Sequence, residues 1–123
     1  MSFKANLSPL YRGDTREFAF EFTDGAGQPV NITGHALWFT MKQNMNDEDS
    51  EAVFQKQIVF PASPQSLQGE ALLTLTSAET DLIAPGIYVF DFQRVIPDNP
   101  PLVKTLMSGK ISILPDITRS NGS

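Results

Sequence analysis

The sequence contains no cysteine, a single histidine and no long apolar run. Without cysteine the chain can form neither disulfides nor thiolate metal sites, and with His35 as its only histidine it cannot build a His-based zinc site. No stretch approaches the ~20 apolar residues that cross a bilayer, and residues 1–6 lack the apolar run of a signal peptide. We therefore expect a protein that is made and kept in the cytoplasm unless something larger carries it out, and that has no membrane partner.

Basic residues are also few. Lys and Arg number 9 against 14 Asp and Glu, which gives a formal net charge of -5. Phosphate recognition requires clustered Lys and Arg, and only Arg12 and Arg16 among the arginines lie near each other in sequence. This pattern argues against a free-standing nucleic-acid binder, so no nucleic-acid partner is predicted.

The residues that are present favour one all-β domain. A chain of 123 residues with 41% hydrophobic and 19% charged residues has the size and composition of one soluble domain. The nine phenylalanines suit pleated, half-buried surfaces. In Thr15–Thr23 the side chains of Phe18, Phe20 and Phe22 alternate with polar or small residues, so one face of this strand should meet a core and the other should meet water.

Turn residues separate further extended segments. These predicted strands are a short one around Ala5–Leu10, then His35–Gln43, Val53–Phe60, Glu70–Thr76, Ile87–Val95 and Leu102–Leu114. Ser77 should cap a single helical turn, and Gly109 should mark a bulge or bend. About seven short antiparallel strands with one short helical turn predict a sandwich or barrel.

The second strand should point Leu37, Phe39 and Met41 inward, which leaves Trp38 half-exposed or covered by a neighbour. For the whole chain we expect an N-terminal arm or edge strand at 1–9, a β-sandwich domain at 10–118 and a flexible tail at 119–123.

The sequence offers few candidates for catalytic or metal-binding residues. His35 could act as a general base, but no nucleophile pairs with it in the sequence, and the simpler interpretation is a residue at the start of a strand. The acidic segment 46–51 lacks the ligand spacing and central glycine of a calcium loop, so a solvated loop is favoured. Asp91 is a candidate acid by type, yet the alternation places it opposite the core.

Arg12-Gly13-Asp14 spells the tripeptide that integrins read, but its position immediately before a strand favours a structural turn. The sequence contains neither a Gly-rich phosphate loop nor a Gly-x-Ser-x-Gly elbow. We therefore predict no catalytic, cofactor-binding or metal-binding residues, no cofactor and no enzymatic activity.

The order of several landmarks is informative. They are Arg12-Gly13-Asp14-Thr15, Asp24-Gly25, Pro29-Val30-Asn31-Ile32-Thr33-Gly34, Trp38-Phe39-Thr40, Leu75-Thr76 with Thr80, Pro85-Gly86-x-Tyr88 with Asp91, Ser108-Gly109-Lys110, and Leu114-Pro115-Asp116 with Thr118. In this order they resemble the small immunoglobulin-like structural proteins of tailed bacteriophages and prophages, similar to the N-terminal domain of the upper baseplate protein family. The larger members of that family carry a further C-terminal region for receptor-binding proteins, for which this sequence has no counterpart.

The resemblance implies an immunoglobulin-like sandwich that works as a virion structural protein. The first hypothesis is a tail or baseplate component, present in several symmetric copies, that links neighbouring subunits or anchors fibres by burying strand edges and loop tips. The second is a capsid decoration or head-fibre protein. The third is a carbohydrate-binding adhesion module, for which Trp38 and Tyr11 are the candidate exposed aromatics.

Overall fold

A computed structural model describes residues 3–4, 7–44, 48 and 52–115. Apart from Glu48, the acidic segment 46–51 lies outside these residues, and so does the predicted tail at 119–123. The described part contains eight strands and two short helices. They are β1 (Phe3–Lys4), β2 (Leu10–Tyr11), β3 (Arg16–Glu21), β4 (Ala36–Lys42), β5 (Phe54–Val59), α1 (Pro64–Leu67), β6 (Glu70–Leu75), α2 (Ser77–Thr80), β7 (Gly86–Ile96) and β8 (Leu102–Leu114).

The strands form two sheets, which confirms the all-β sandwich. The large sheet has the order β1-β8-β7-β4-β5, with β2 also paired to β8, and the small sheet consists of β3 and β6. The pairing is not entirely antiparallel, because β1 and β2 both run parallel to β8. Between them the Leu7 N–H donates to the Lys110 carbonyl at 3.0 Å, so β1, Leu7 and β2 each lie along the outer edge of β8.

Five of the strands are divided between the two sheets as in an immunoglobulin sandwich. Immunoglobulin sandwiches place their second and fifth strands in one sheet and their third, sixth and seventh strands in the other. Counted from β2, the same division appears here, with β3 and β6 in one sheet and β4, β7 and β8 in the other. The first and fourth strands differ, because constant-type immunoglobulin sandwiches place them with the second and fifth. Here β5 pairs with the third strand and β2 with the seventh.

A tyrosine corner adds to this likeness. The Tyr88 hydroxyl donates to the Ala84 carbonyl, four residues upstream, at 2.6 Å. In immunoglobulin-like sandwiches a tyrosine near the start of the sixth strand makes the same bond to the chain just before it. Tyr88 lies near the start of β7, the sixth strand in the count above, and its ring is buried.

Phenylalanine rings fill the space between the sheets. Phe18 and Phe20 of the small sheet contact Phe92 of the large sheet edge-on, with ring centroids 5.1 and 5.0 Å apart. Phe39 lies 4.8 Å from the same ring and is fully buried. Burial along β3 alternates as its sequence predicts, because its phenylalanines pack against the core while Glu17 and Ala19 are exposed.

Two local predictions need correction. The helical turn after β6 is present, but its N-cap is Thr76 and not Ser77: Thr76 accepts from the Glu79 N–H, and the Glu79 carboxylate accepts from the Thr76 N–H. The register shift in the β7–β8 hairpin lies between Phe92 and Gln93, whereas Gly109 pairs regularly with Phe90. Gly109 is therefore not the bulge.

A second helical turn, α1, was not predicted. Ser63 caps it by accepting from the Ser66 N–H, and Pro64 occupies its first turn. The sequence does contain the signal, because serine before proline is a good helix start. From the sequence, the residues after Val53–Phe60 are assigned only to the turns that separate the strands.

Candidate interaction surface

The Arg12-Gly13-Asp14 segment is a turn tied to α2. Gly13 has φ of 87°, and its N–H donates to Thr80 Oγ1 at 3.0 Å. The Thr80 hydroxyl in turn donates to the Asp14 carbonyl at 2.7 Å. The Arg12 guanidinium donates through Nε to the Asp81 carbonyl at 3.0 Å. The tripeptide therefore connects β2 to the helix, as the structural interpretation predicts.

His35 lies immediately before β4 and contacts Arg94 of β7. Nδ1 of the imidazole lies 3.0 Å from Nη2 and 3.3 Å from Nε of the guanidinium. Burial lowers the pKa of His35, and the neighbouring positive charge of Arg94 lowers it further. The Arg94 guanidinium also lies over the Phe22 ring, 4.6 Å from its centroid. These contacts make His35 part of a link between the two sheets.

Lys56 makes a second link between the sheets. It lies on the edge strand β5 and points inward, where Nζ donates to the Thr74 carbonyl at 2.5 Å and to Glu79 Oε1 at 2.8 Å. Desolvation, the largest single influence, raises the pKa of Glu79, but the bonds from Lys56 and Thr76 together outweigh it and hold this pKa below its ordinary value. An inward charge on an edge strand also hinders pairing with another chain.

The outer face of the large sheet collects side chains from four strands. We call this surface the Trp38 face. In register across β5, β4, β7 and β8, three of its rows are Val59, Ala36, Val95 and Val103; then Gln57, Trp38, Gln93 and Thr105; then Gln55, Thr40, Asp91 and Ser108. The next row, across β4, β7 and β8, consists of Lys42, Val89 and Lys110. Its residues alternate with the core residues of the same strands. Asp91 belongs to it and so lies opposite the core, as predicted.

Trp38 occupies the middle of this face and is half-buried, which agrees with the prediction for its side chain. Gln57 and Gln93 flank it directly on the two neighbouring strands. The Gln93 amide lies 3.5 Å from Thr105 Oγ1 within the same row, which orients its nitrogen. Val59 and Val103, at the two ends of the apolar row, are 57% and 56% exposed. The face therefore combines an aromatic ring, amides and exposed aliphatic side chains.

The outer face of the small sheet differs from the Trp38 face in carrying several acidic side chains. We call it the acidic face. It carries Glu17, Glu21 and Glu70 beside the half-exposed Leu72, and Glu21 lies directly opposite Glu70. Like charges at directly opposed positions repel each other. Negative charge is therefore concentrated on one side of the sandwich.

Tyr11, the other predicted exposed aromatic, does not join Trp38. It is 47% exposed, but it lies on β2 and pairs with Leu114 near the end of β8. The strands β8 and β7 separate β2 from the strand that carries Trp38. The row of adjacent aromatics that a carbohydrate module usually presents is not formed by these two side chains.

Within the described ranges, no cluster of three or more His, Asp or Glu side chains is arranged to hold a metal ion. Among the same residues, neither helix has the length and apolar character that crossing a membrane requires.

Comparison with known proteins gives a likeness in structure and none in sequence. No protein-family model matches the chain, and no curated protein matches its sequence. Among solved structures the chain is similar to the N-terminal domain of phage TP901-1 ORF48, at 14% sequence identity and a TM-score of 0.45. That match covers 94% of this chain and 98% of the other.

Proposed function

We propose that the chain is a bacteriophage virion structural protein and not an enzyme. The observation that carries this proposal is where the sequence landmarks lie in the fold. The residues that resemble the phage immunoglobulin-like proteins form its turns, corner and inter-sheet contacts, so the resemblance concerns the framework of the sandwich.

Three landmarks illustrate the point. Gly13 of the first landmark is bonded to Thr80, which belongs to a later one. Asp24 accepts from the N–H groups of Ala26 and Gln28 at 2.8 and 3.0 Å and so closes the turn after β3. The Pro85-Gly86-x-Tyr88 step forms the tyrosine corner. Each of these three landmarks therefore has a structural reason for its residue type and position. Asp116 and Thr118 of the last landmark lie outside the described residues.

The candidate chemical residues support the same proposal. His35 is engaged with Arg94, and Arg12 with Asp81, each in a contact that holds elements of the sandwich together. Asp91 lies on the outer face of a sheet, with Thr40 and Ser108 as its neighbours in register. These side chains contribute to the framework and to the surface.

Within the virion we assign the chain to the tail or baseplate, where it links neighbouring subunits or anchors fibres in several symmetric copies. Its partners are then other virion proteins. A sandwich with a closely packed aromatic core and side-chain links between its sheets suits this role, because a protein that connects other subunits must keep its shape when they pull on it.

Labelling of intact particles tests the proposal. Antibodies against the purified chain, applied to purified phage particles and imaged by electron microscopy, should mark the tail end. Quantitative mass spectrometry of the same particles should then give far fewer copies than of the major capsid protein. A copy number close to that of the capsid protein, with label on the head, would replace the tail assignment by capsid decoration. Protein found only free in the lysate would refute the virion role.

A further inference from the structure

The outer edge of β3 differs from the other strand edges of the sandwich. The edge of β8 is paired with β1 and β2, and the edge strand β5 carries the inward-pointing Lys56, which also donates to the Thr74 carbonyl at the outer side of β6. Both devices hinder the addition of a further strand. At the start of β3 the Arg16 side chain binds the Pro9 carbonyl, but within the described ranges no strand lies beside β3 on the side away from β6.

The backbone groups that point out of this edge belong to Glu17, Ala19 and Glu21. The Phe22 N–H donates to the Gly69 carbonyl at 2.8 Å, which continues the antiparallel ladder between β3 and β6 by one residue. Because N–H and C=O groups point to alternate sides along a strand, the backbone of every second residue from Phe22 faces β6, and the three residues named first face away. Among the described residues no hydrogen bond reaches their outward N–H and C=O groups. They offer an added strand about six hydrogen bonds.

The core is also incompletely covered beside this edge. Phe18 pairs with Leu73 and Phe20 with Ala71, and all four side chains point inward. Both side chains of β6 are buried, whereas both phenylalanines of β3 remain partly exposed. Since the two strands share this face of the sheet, the exposed ring surface lies on the side of β3 that has no neighbouring strand. Apolar side chains at alternate positions of an added strand would cover it.

The charges beside the edge define the other side chains of such a strand. Glu17 and Glu21 flank the exposed Ala19 on the outer side of the sheet, and Glu70 lies directly opposite Glu21. The outward side chains of an added strand would lie next to these carboxylates. Opposite charges at neighbouring strand positions attract each other, and like charges destabilise the pairing. Charge complementarity therefore favours lysine or arginine at the outward positions of the occupant.

We propose that the outer edge of β3 is a strand-addition site for an extended segment of a partner protein in which apolar and basic residues alternate. The backbone of this segment pairs with Glu17, Ala19 and Glu21, and its apolar side chains cover Phe18 and Phe20. The proposal rests on the proposed function, because the partner is then another virion protein and this edge is where it joins. The purified chain and a synthetic peptide suffice for the test, so its outcome is independent of whether the protein lies in the virion.

The probe is a blocked peptide of about seven residues in which lysine and valine alternate. In the free chain the amide protons of Ala19 and Glu21 should exchange with solvent faster than those of Phe18 and Phe20, which are bonded to β6. NMR titration of the isotope-labelled chain should shift the Ala19 and Glu21 signals with a Kd of about 1 mM or less. At saturation the hydrogen exchange of these two amides should slow about tenfold or more. The same peptide with glutamate in place of lysine should bind about tenfold more weakly.

Ala19→Pro removes an outward N–H and leaves the bonds to β6 in place, because proline is accepted where the N–H of an edge strand faces solvent. It should raise the Kd of the lysine–valine peptide about tenfold or more. Leu72→Pro is the matched control. Leu72 is exposed and lies directly opposite Ala19, so its N–H points out of the other edge of the small sheet, and this variant should leave the Kd within about twofold.

Thermal unfolding verifies that both proline variants fold. If either does not fold, Glu17→Lys decides, since it changes an exposed side chain and no backbone group. It should weaken binding of the lysine–valine peptide and strengthen binding of the glutamate–valine peptide, each about threefold. Three results would overturn the proposal: no shift of the Ala19 and Glu21 signals at about 5 mM peptide, equal weakening by the two proline variants, or equal affinity for the two peptides.

Discussion

The hydroxyl of Thr80 offers the sharpest test of how the sandwich is held together. It accepts from the Gly13 N–H at 3.0 Å and donates to the Asp14 carbonyl at 2.7 Å, and the Thr80 side chain is fully buried. Thr80→Val keeps the shape of the side chain and removes these bonds, together with the bond of the hydroxyl to the Ser77 carbonyl at 3.2 Å within α2. The turn after β2 would then lose its polar attachment to α2.

The loss of folding stability expected for Thr80→Val follows from the backbone groups that it leaves without a partner. A buried donor or acceptor without a partner costs about 1–3 kcal/mol. Gly13 is half-buried and Asp14 is exposed, so water can reach the carbonyl more easily than the N–H. We therefore expect a loss of about 2–3 kcal/mol for Thr80→Val. For a chain of this length each kcal/mol corresponds to about 4 °C in Tm, which gives a fall of roughly 8–12 °C.

Thr80→Ser is the control, because it keeps the hydroxyl and removes one buried methyl group. Its expected cost is about 1 kcal/mol. Urea unfolding followed by circular dichroism measures both variants against the parent chain. If Thr80→Val is as stable as the parent, or if Thr80→Ser is the less stable of the two, the hydroxyl does not hold the turn and the reasoning is refuted.

Three further predictions concern the corner, a crowded glycine and a histidine. Tyr88→Phe removes the corner bond and should cost about 1 kcal/mol in urea unfolding; an unchanged midpoint would contradict this. Gly69→Ala should cost about 3 kcal/mol or more of stability, because φ is +73° there and an added Cβ would meet the Phe22 carbonyl oxygen. Gly27→Ala has a similar φ of +79° but open space around the Cβ, and it should cost only about 1 kcal/mol. Equal losses for the two variants would contradict the steric argument. Because the pKa of His35 is lowered from 6.5, the folded state binds fewer protons than the unfolded state as the pH falls below that value. Folding stability should therefore decrease as the pH falls from 7.5 to about 5.5. His35→Gln should make that decrease smaller. If the parent chain and His35→Gln lose the same stability over this range, His35 is not its source.

The alternation of side chains was enough to predict much of the fold. The phenylalanines of β3 and the inward residues of β4, Leu37, Phe39 and Met41, lie where a period of two places them. The reason is that a one-residue shift would expose the entire apolar set of such a strand. The half-buried position of Trp38 follows from the same rule, and with it one member of the candidate surface.

The pairing of the strands could not be derived in this way. Alternation along β8 is the same whether its edge neighbour runs parallel or antiparallel, so the parallel pairing of Leu10 with Ile113 had no local signal. The bulge opposite Phe92 and Gln93 was misplaced because a glycine is a weak marker when the register is unknown. The rows of the Trp38 face exist only through this register, and a single sequence does not reveal them.

Charged side chains of the described residues tie the small sheet to the rest of the sandwich. A sheet of two strands is too narrow to be stable alone, so the β3–β6 sheet depends on ties to its neighbours. Lys56 reaches it from β5 on one side, and Arg16 of β3 reaches out to the Pro9 carbonyl at 2.8 Å on the other. These ties fasten the small sheet to β5 and to the residues just before β2, while β1 and β2 pair with the edge of β8. The broad outer surface of the large sheet has a different composition, because its rows combine Trp38 and Gln57 with the charged residues Asp91, Lys42 and Lys110.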